Sequence, residues 1–328
     1  MTLGSIRRRG LLATAGALAT PGIARAQTSP LPAGPIRILV GFPAGGGTDI
    51  QARLLAERLR ERTGRTFIVE NKGGASGTIA GGILAQAAPD GTTIMLAPIA
   101  SVVMAKLTFT KLNHDPQTDW APISQVGTFP VALAVSPNHP AKNAAEYVAA
   151  ARTDPKLAQF GTTALGSVPH FFTLLLGKAA GVTLTPVPYR GAAPLVADLA
   201  ANQIPSGSGG LFDFIAHHRA GKLRIVAVSS AGRTVTAPDL PTFAEQGYKD
   251  AVGDSWLGLF APAKTPRPVL DALNAAVRAV VAEPDTTRKL IENGVEPKTG
   301  TPEELAALQA SDIAKWRPIV EASGFKAD

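Results

Sequence analysis

Three consecutive glycines followed by a threonine and an aspartate, within Phe42-Pro43-Ala44-Gly45-Gly46-Gly47-Thr48-Asp49, have the composition of a backbone cradle for an anion. A glycine-rich approach brings the main chain close to a ligand, and the unpaired amides of a helix's first turn favour a carboxylate, phosphate or sulfate. The flanking residues supply both elements. Ile36–Val40 is a β-branched run that predicts a strand, and Ile50, Leu54, Leu55 and Leu59 recur at helical spacing until Gly64. Thr48 with Gln51 three residues on has the form of a capping box, which places the helix start just past the third glycine.

Three further segments repeat this strand–loop–helix logic. Asn71-Lys72-Gly73-Gly74-Ala75-Ser76-Gly77-Thr78 follows a second predicted strand, and its hydroxyls can donate to an anion. Thr162-Thr163-Ala164-Leu165-Gly166-Ser167-Val168-Pro169-His170 offers Ser167 as an N-cap and Pro169 early in a helix. Tyr189-Arg190-Gly191-Ala192-Ala193 again ends a strand and opens a helix. In open α/β sheets, ligands bind beyond the carboxyl ends of strands, where such loops lie. Each segment also has a purely structural reading: a tight turn, close helix packing, a plain cap for Ser167, a helix-face position for His170, a core position for Trp256.

Short β runs alternate with helical patterns along the chain, the mark of α/β architecture. The predicted strands are Ile36–Val40, Thr66–Glu70, Thr92–Ala97, Val131–Val135, Gln159–Thr162, Thr185–Tyr189 and Leu223–Ser229. Helices are expected near 266–282, 285–293 and 302–322. A loop-rich stretch from Asn113 to Gly127 marks a boundary, with a return crossing near Asp254–Gly258. The expected domains are therefore 27–127 with 257–328 and, between them, 128–256, enclosing a cleft.

The chain has 328 residues, 45% hydrophobic and 17% charged, as a globular protein of about two domains should. Residues 1–26 read as an export leader: Arg7, Arg8 and Arg9, an apolar stretch from Gly10 to Thr20, Pro21-Gly22, and Ala24-Arg25-Ala26 as a cleavage site. Arg8-Arg9-Gly10-Leu11-Leu12 has the pattern of a twin-arginine signal, with Sec export as the alternative. That segment carries four arginines and no acid, so its removal lowers the formal charge from +7 to +3, which does not indicate a nucleic-acid partner. The absence of cysteine excludes disulfides, thiolate metal sites and a lipidated cysteine. A soluble periplasmic protein is the expectation.

Enzyme signatures are missing: no G-x-S-x-G elbow, no H-E-x-x-H helix and no cysteine nucleophile, and the five histidines are scattered apart from His217-His218. Neither catalytic residues nor a metal site are expected. A dinucleotide-binding fold is the enzymatic rival, since Glu70 ends the second strand where a ribose-binding acid would sit. Ile50 argues against it, standing where G-x-G-x-x-G requires a small residue.

Seven segments then carry a resemblance: Pro35-Ile36-Arg37, Phe42–Asp49, Val69-Glu70-Asn71-Lys72, Ala88-Pro89-Asp90-Gly91, Val187-Pro188-Tyr189-Arg190-Gly191, Ala220-Gly221-Lys222-Leu223-Arg224 and Thr301-Pro302-Glu303-Glu304. In order and spacing the chain resembles the Bug-type extracytoplasmic receptors of tripartite tricarboxylate transporters. The resemblance implies a two-domain, type II-like periplasmic binding protein of two Rossmann-like lobes joined by two hinge crossings. It also implies a cofactor-free, monomeric receptor that closes on a small organic acid and hands it to membrane permease subunits. A periplasmic sensor acting on a signalling receptor would use the same cleft.

The ligand-binding residues expected on these combined grounds are Phe42, Ala44, Gly45, Gly46, Gly47, Thr48, Asp49, Ser76, Gly77, Thr78, Thr163, Gly166, Ser167, His170, Tyr189, Gly209 and Trp256. Two departures stand out. Gly209 occupies the position of a frequent aspartate, which removes a side-chain acceptor and favours a bulkier or more anionic ligand over one presenting a hydroxyl or ammonium group. Leu257 replaces a common aromatic after Trp256.

Overall fold

The computed structural model describes residues 1–2, 30–249 and 251–327. From residue 3 onward the expected leader, with its cleavage position after Ala26, lies outside the described residues.

The chain opens with β1 (Ile36–Val40), α1 (Gly47–Thr63), β2 (Phe67–Asn71), α2 (Thr78–Gln86) and β3 (Thr93–Pro98), whose strands pair in parallel in the order β2-β1-β3. A π turn, Ala100–Met104, leads into the short α3 (Ala105–Thr108) and then β4 (Trp120–Val135). The second set is α4 (Ala144–Thr153), β5 (Gln159–Thr162), α5 (Val168–Ala180), β6 (Thr185–Pro188), α6 (Ala192–Ala200), β7 (Ser206–Gly210), α7 (Leu211–Arg219) and β8 (Arg224–Val228). The chain returns through β9 (Asp254–Pro262) and ends with α8 (Arg267–Val281), α9 (Pro284–Glu292), β10 (Glu296–Pro297) and α10 (Pro302–Ser323).

The sheet runs β2-β1-β3-β9-β4-β7-β5-β6, with β8 and β10 also paired to β4. β4 belongs to both halves. Its residues Trp120–Pro130 run antiparallel to β9, and Val131–Val135 pair instead with β7 and β8. The change of partner falls at Pro130, which has no N–H to donate to a ladder. The carboxyl ends of β1 and β5 thus face the same gap between the halves, and the helix-opening loops converge there.

Three elements differ from the sequence reading. β4 starts at Trp120, inside the stretch expected to be loop, because its register shifts near Pro122 and between Gln125 and Gly127 break the strand pattern. β7 is Ser206-Gly207-Ser208-Gly209-Gly210, a composition that argues against a strand. Its glycines are dictated by packing: a Cβ at Gly207 would lie 2.9 Å from Leu199 and 3.1 Å from Leu195 of α6. β9, expected only as a crossing, is a nine-residue strand.

The core is continuous across β4. Leu39 and Met95 of the first half, Leu133 and Phe160 of the second, and Trp256, Phe260, Trp316 and Val320 from the returning chain form one buried cluster. Burial of this kind stabilises by roughly 25 cal/mol per Å² of apolar surface removed from water, the dominant favourable term in the fold.

Candidate functional site

The helix starts of α1, α5, α6 and α7 meet at one small cavity of about 40 Å³. From α1 come Gly46, Gly47 and Thr48; from α5, Ser167 and Pro169; from α6, Ala192; from α7, Gly210, Phe212 and Asp213. Phe42, Phe129 and the Pro98–Ala100 turn form the apolar wall, and Thr163 and Ser255 add hydroxyls. None of the lining side chains is basic. The positive potential is supplied by helix dipoles and amides, each helix end carrying roughly half a unit charge.

The α1 start differs in detail from the capping box expected of Thr48 and Gln51. The N-cap is Gly46, and the first helical bond runs from the Ile50 N–H to the Gly46 carbonyl. Asp49, three residues beyond the cap, reaches back to accept the Gly45 N–H at 2.9 Å. It also accepts from Arg53 Nε at 3.0 Å and Asn71 Nδ2 at 3.0 Å. Burial pushes the Asp49 carboxyl up, but the bonds from Arg53, Gly45 and Asn71 together hold it below its ordinary value. Asp49 therefore fastens the loop, and the Gly45 amide is already taken. The Asn71 amide also donates to the Phe42 carbonyl at 3.0 Å, fixing the loop's other end.

Ser167 is the N-cap of α5 yet makes no side-chain cap bond. Its hydroxyl is buried, 2% exposed, without a hydrogen-bond partner, and borders the cavity. A buried hydroxyl left unsatisfied costs about 1–3 kcal/mol, which a ligand acceptor would recover. Thr163 stands in the loop after β5, and its carbonyl accepts the Gly191 N–H at 3.0 Å, tying that loop to the one before α6.

Asp213 is the group the sequence reading missed. It lies at the third position of α7, where its carboxyl accepts the Gly210 N–H at 3.0 Å and, across the cleft, the Gly47 N–H at 3.3 Å. Burial pushes it up to about 7, against these two backbone bonds. An ideal Cβ at Gly209 would lie 3.0 Å from an Asp213 carboxyl oxygen. The acceptor missing from Gly209 is thus replaced by one from the next helix turn, which removes the ground for expecting a ligand without donors. An acid three residues after a glycine and ahead of an apolar run is the sequence signal that could have found it.

The opposed loops are in close contact. A Cβ at Gly47 would fall 1.8 Å from the Phe212 ring, and one at Gly191 would fall 2.6 Å from Pro43. Ser76 Oγ donates to the Leu165 carbonyl at 3.0 Å, joining the loop before α2 to the loop before α5. Ser76 and Tyr189 line a second cavity of about 300 Å³ that shares Phe42, Thr163 and Ala164 with the first. The Tyr189 hydroxyl donates to Asp198 at 2.7 Å; burial and this acceptor push it up to about 12. A third cavity of about 320 Å³, lined by Gly45, His217 and Lys222, shares Ala192 and Asp213.

Of the expected residues, Phe42, Gly46, Gly47, Thr48, Thr163 and Ser167 border the inner cavity. Gly45, Ser76 and Tyr189 border its neighbours. The rest are placed elsewhere. Ala44 is exposed, while Gly77 packs on Gly41 and Ser101 and Thr78 opens α2. Gly166, with φ of 73°, donates to His170 Nδ1 at 3.2 Å. His170 is 1% exposed, stacked among Phe160, Phe171 and Phe325, and burial pushes it down to about 4. Trp256, expected at the ligand, is a core residue whose Nε1–H reaches Asp312 at 2.7 Å; its neighbour Ser255 lines the cavity, and Phe129 and Phe212 supply aromatic wall.

This is the architecture of an α/β periplasmic binding protein: two sheet halves sharing long strands, with helix starts turned on the gap between them. The family described as "Tripartite tricarboxylate transporter family receptor" matches residues 51–325. Protein BugT of Bordetella pertussis is 30% identical over 319 residues, covering 96% of this chain and 98% of that protein. Among solved structures, the periplasmic binding protein BugD superposes with a TM-score of 0.85 at 32% identity, over 90% of this chain and 99% of that one. R. palustris Rpa4515, solved with adipate, gives 0.86 at 33% identity, over 90% and 99%. MatC from Rhodopseudomonas palustris, with bound malate, gives 0.82 at 29% identity, over 88% and 100%. The chain belongs to the tripartite tricarboxylate transporter receptor family, a family of periplasmic binding proteins and not of enzymes.

Proposed function

We propose that this receptor captures a small organic acid in the cleft between residues 27–127 with 257–328 and residues 128–256, and presents it to the membrane permease subunits of a tripartite tricarboxylate-type transporter. The observation that carries this reading is the convergence of four helix starts on a cavity with an unpartnered buried Ser167 hydroxyl and no basic side chain. Such a surface recognises carboxylate by amides and hydroxyls, and adapts to ligand length without a fixed cationic clamp. Family members solved with adipate and malate support the same ligand class.

The cavity dimensions support a division of labour. The inner cavity is the smaller of the two and is the one bordered by the four helix starts, which suits one carboxylate head. The remainder of the ligand extends past Phe42 and Thr163 into the adjoining 300 Å³ space beside Ser76 and Tyr189. Closure then brings Phe212 onto Gly47 and seals the head group from water. The mature receptor works as a monomer, exported through the twin-arginine-like leader and cleaved after Ala26.

Calorimetric titration of the mature protein with a panel of dicarboxylates and tricarboxylates tests the ligand class. Saturable one-to-one binding of at least one of them is expected, and G47A should weaken it at least roughly tenfold.

A further inference from the structure

Among the described residues, Asp213 forms no ion pair. Of the strands packed against α7, β4 and β7 contain no charged residue. On α1, Asp49 is engaged with Arg53; on α6, Asp198 accepts from Tyr189; on β8, Arg224 donates to the His139 and Ala141 carbonyls. On the Asp213 side of the outer cavity stand His217, which burial and Lys222 push down, and Lys222 itself. Neither forms an ion pair with Asp213 among the described residues. The carboxyl is held only by the Gly210 and Gly47 amides, and the second of these belongs to the helix start expected to hold the ligand.

We propose, building on the carboxylate reading above, that Asp213 makes ligand capture proton-linked: the ligand carboxylate settles beside the Gly47 amide with one proton shared between it and the Asp213 carboxyl. Two carboxylates in contact inside a cavity without a basic side chain cannot both remain ionised, because each raises the other's affinity for a proton. The proton comes from solvent, no covalent bond forms or breaks, and the complex carries one proton more than the separated partners when Asp213 starts ionised. Protonated Asp213 donates its O–H to the ligand oxygen while its carbonyl oxygen keeps a backbone amide. The resulting receptor takes up organic anions together with a proton, and an acid bearing a hydroxyl or ammonium beside its carboxylate is accepted by the same group when it is ionised.

Linkage sets the sign of the pH dependence. With Asp213 raised to about 7 by burial, binding below that pH takes up little and affinity is level there. Above it, each pH unit lowers affinity by up to roughly tenfold, until the shared proton is lost in the complex as well. Ligand carboxyls, ordinarily ionising near about 4, stay ionised throughout this range and do not contribute.

The test is titration calorimetry of the mature receptor with adipate and malate between about pH 6 and pH 9, in two buffers of different ionisation heat. Buffer dependence should report close to one proton taken up per ligand at about pH 8, with affinity falling as pH rises. Asp213→Asn should bind with no proton uptake and a level profile. Binding of either acid to the unaltered receptor with no proton uptake at about pH 8 and a level affinity overturns the linkage while leaving the carboxylate reading intact. Absence of binding at about pH 6 by these two acids and by every member of the dicarboxylate and tricarboxylate panel overturns both. If Asp213→Asn does not fold, the proton count on the unaltered receptor decides alone.

Discussion

The carboxyl of Asp213, on the third residue of α7, accepts the backbone N–H of Gly47, on the first residue of α1, at 3.3 Å across the cleft. One contact thus joins the anion cradle legible in the sequence to an acid that was not. Gly47 abuts the Phe212 ring, and Asp213 is the group proposed above to link capture to a proton.

Gly47→Ala should impair ligand capture far more than folding. The added Cβ would meet the Phe212 ring at 1.8 Å, where the two opposed loops touch. Alanine in a helix is favourable by up to about 1 kcal/mol relative to glycine, which offsets part of the cost of displacing the ring. Affinity should drop at least roughly tenfold, a cost of about 1.4 kcal/mol or more. Gly46→Ala should do less, since its Cβ would meet the Pro43 carbonyl at a tolerable 3.3 Å. Equal losses in the two variants would contradict closure against Phe212.

Ser167→Ala separates ligand contact from capping. The Ser167 hydroxyl makes no cap bond, so its removal should leave the melting temperature of the free protein unchanged or slightly raised. A hydrogen bond to a charged group is worth about 1.5–3 kcal/mol, so carboxylate affinity should fall roughly tenfold to a hundredfold. Lower stability with unchanged affinity would make Ser167 a plain helix cap.

Stability against pH should show two opposing contributions. Asp213 is raised from 3.8 to about 7, so its contribution is present below 3.8 and lost as pH rises through about 7. His170 is lowered from 6.5 to about 4, so its contribution is present above 6.5 and lost as pH falls towards about 4. The His170 loss between about pH 7 and pH 5 amounts to about 2 kcal/mol. The unaltered protein should therefore vary little across this window. Asp213→Asn should expose the acid-side loss and be more stable than the parent at about pH 8; His170→Asn, which keeps an acceptor for Gly166, should expose the opposite slope. Thermal melts of both variants and the parent check this, and parallel profiles in all three would contradict it.

Much of the architecture was legible because periodicity and punctuation are local signals. β1 and β5 fall on their predicted bounds, and α8, α9 and α10 begin and end within two residues of expectation. The glycine loop was legible because three glycines before a helix exceed the needs of a turn. β7 was not, since its residues answer to the Leu195 and Leu199 side chains packed over them rather than to strand propensity. Nor was the fate of Trp256: its partner Asp312 lies 56 positions away, and only the fold brings α10 onto β9. Asp213 escapes a sequence reading for a similar reason, because the acceptor expected at position 209 comes instead from the following helix turn.

Titration calorimetry of natively purified mature receptor against dicarboxylates and tricarboxylates tests the central claim most directly, run in parallel on Gly47→Ala. Saturable one-to-one binding of at least one acid, weakened at least roughly tenfold by Gly47→Ala, is the expected result. Failure of every carboxylate to bind, or binding indifferent to Gly47→Ala, would contradict capture of an organic acid at the α1 helix start.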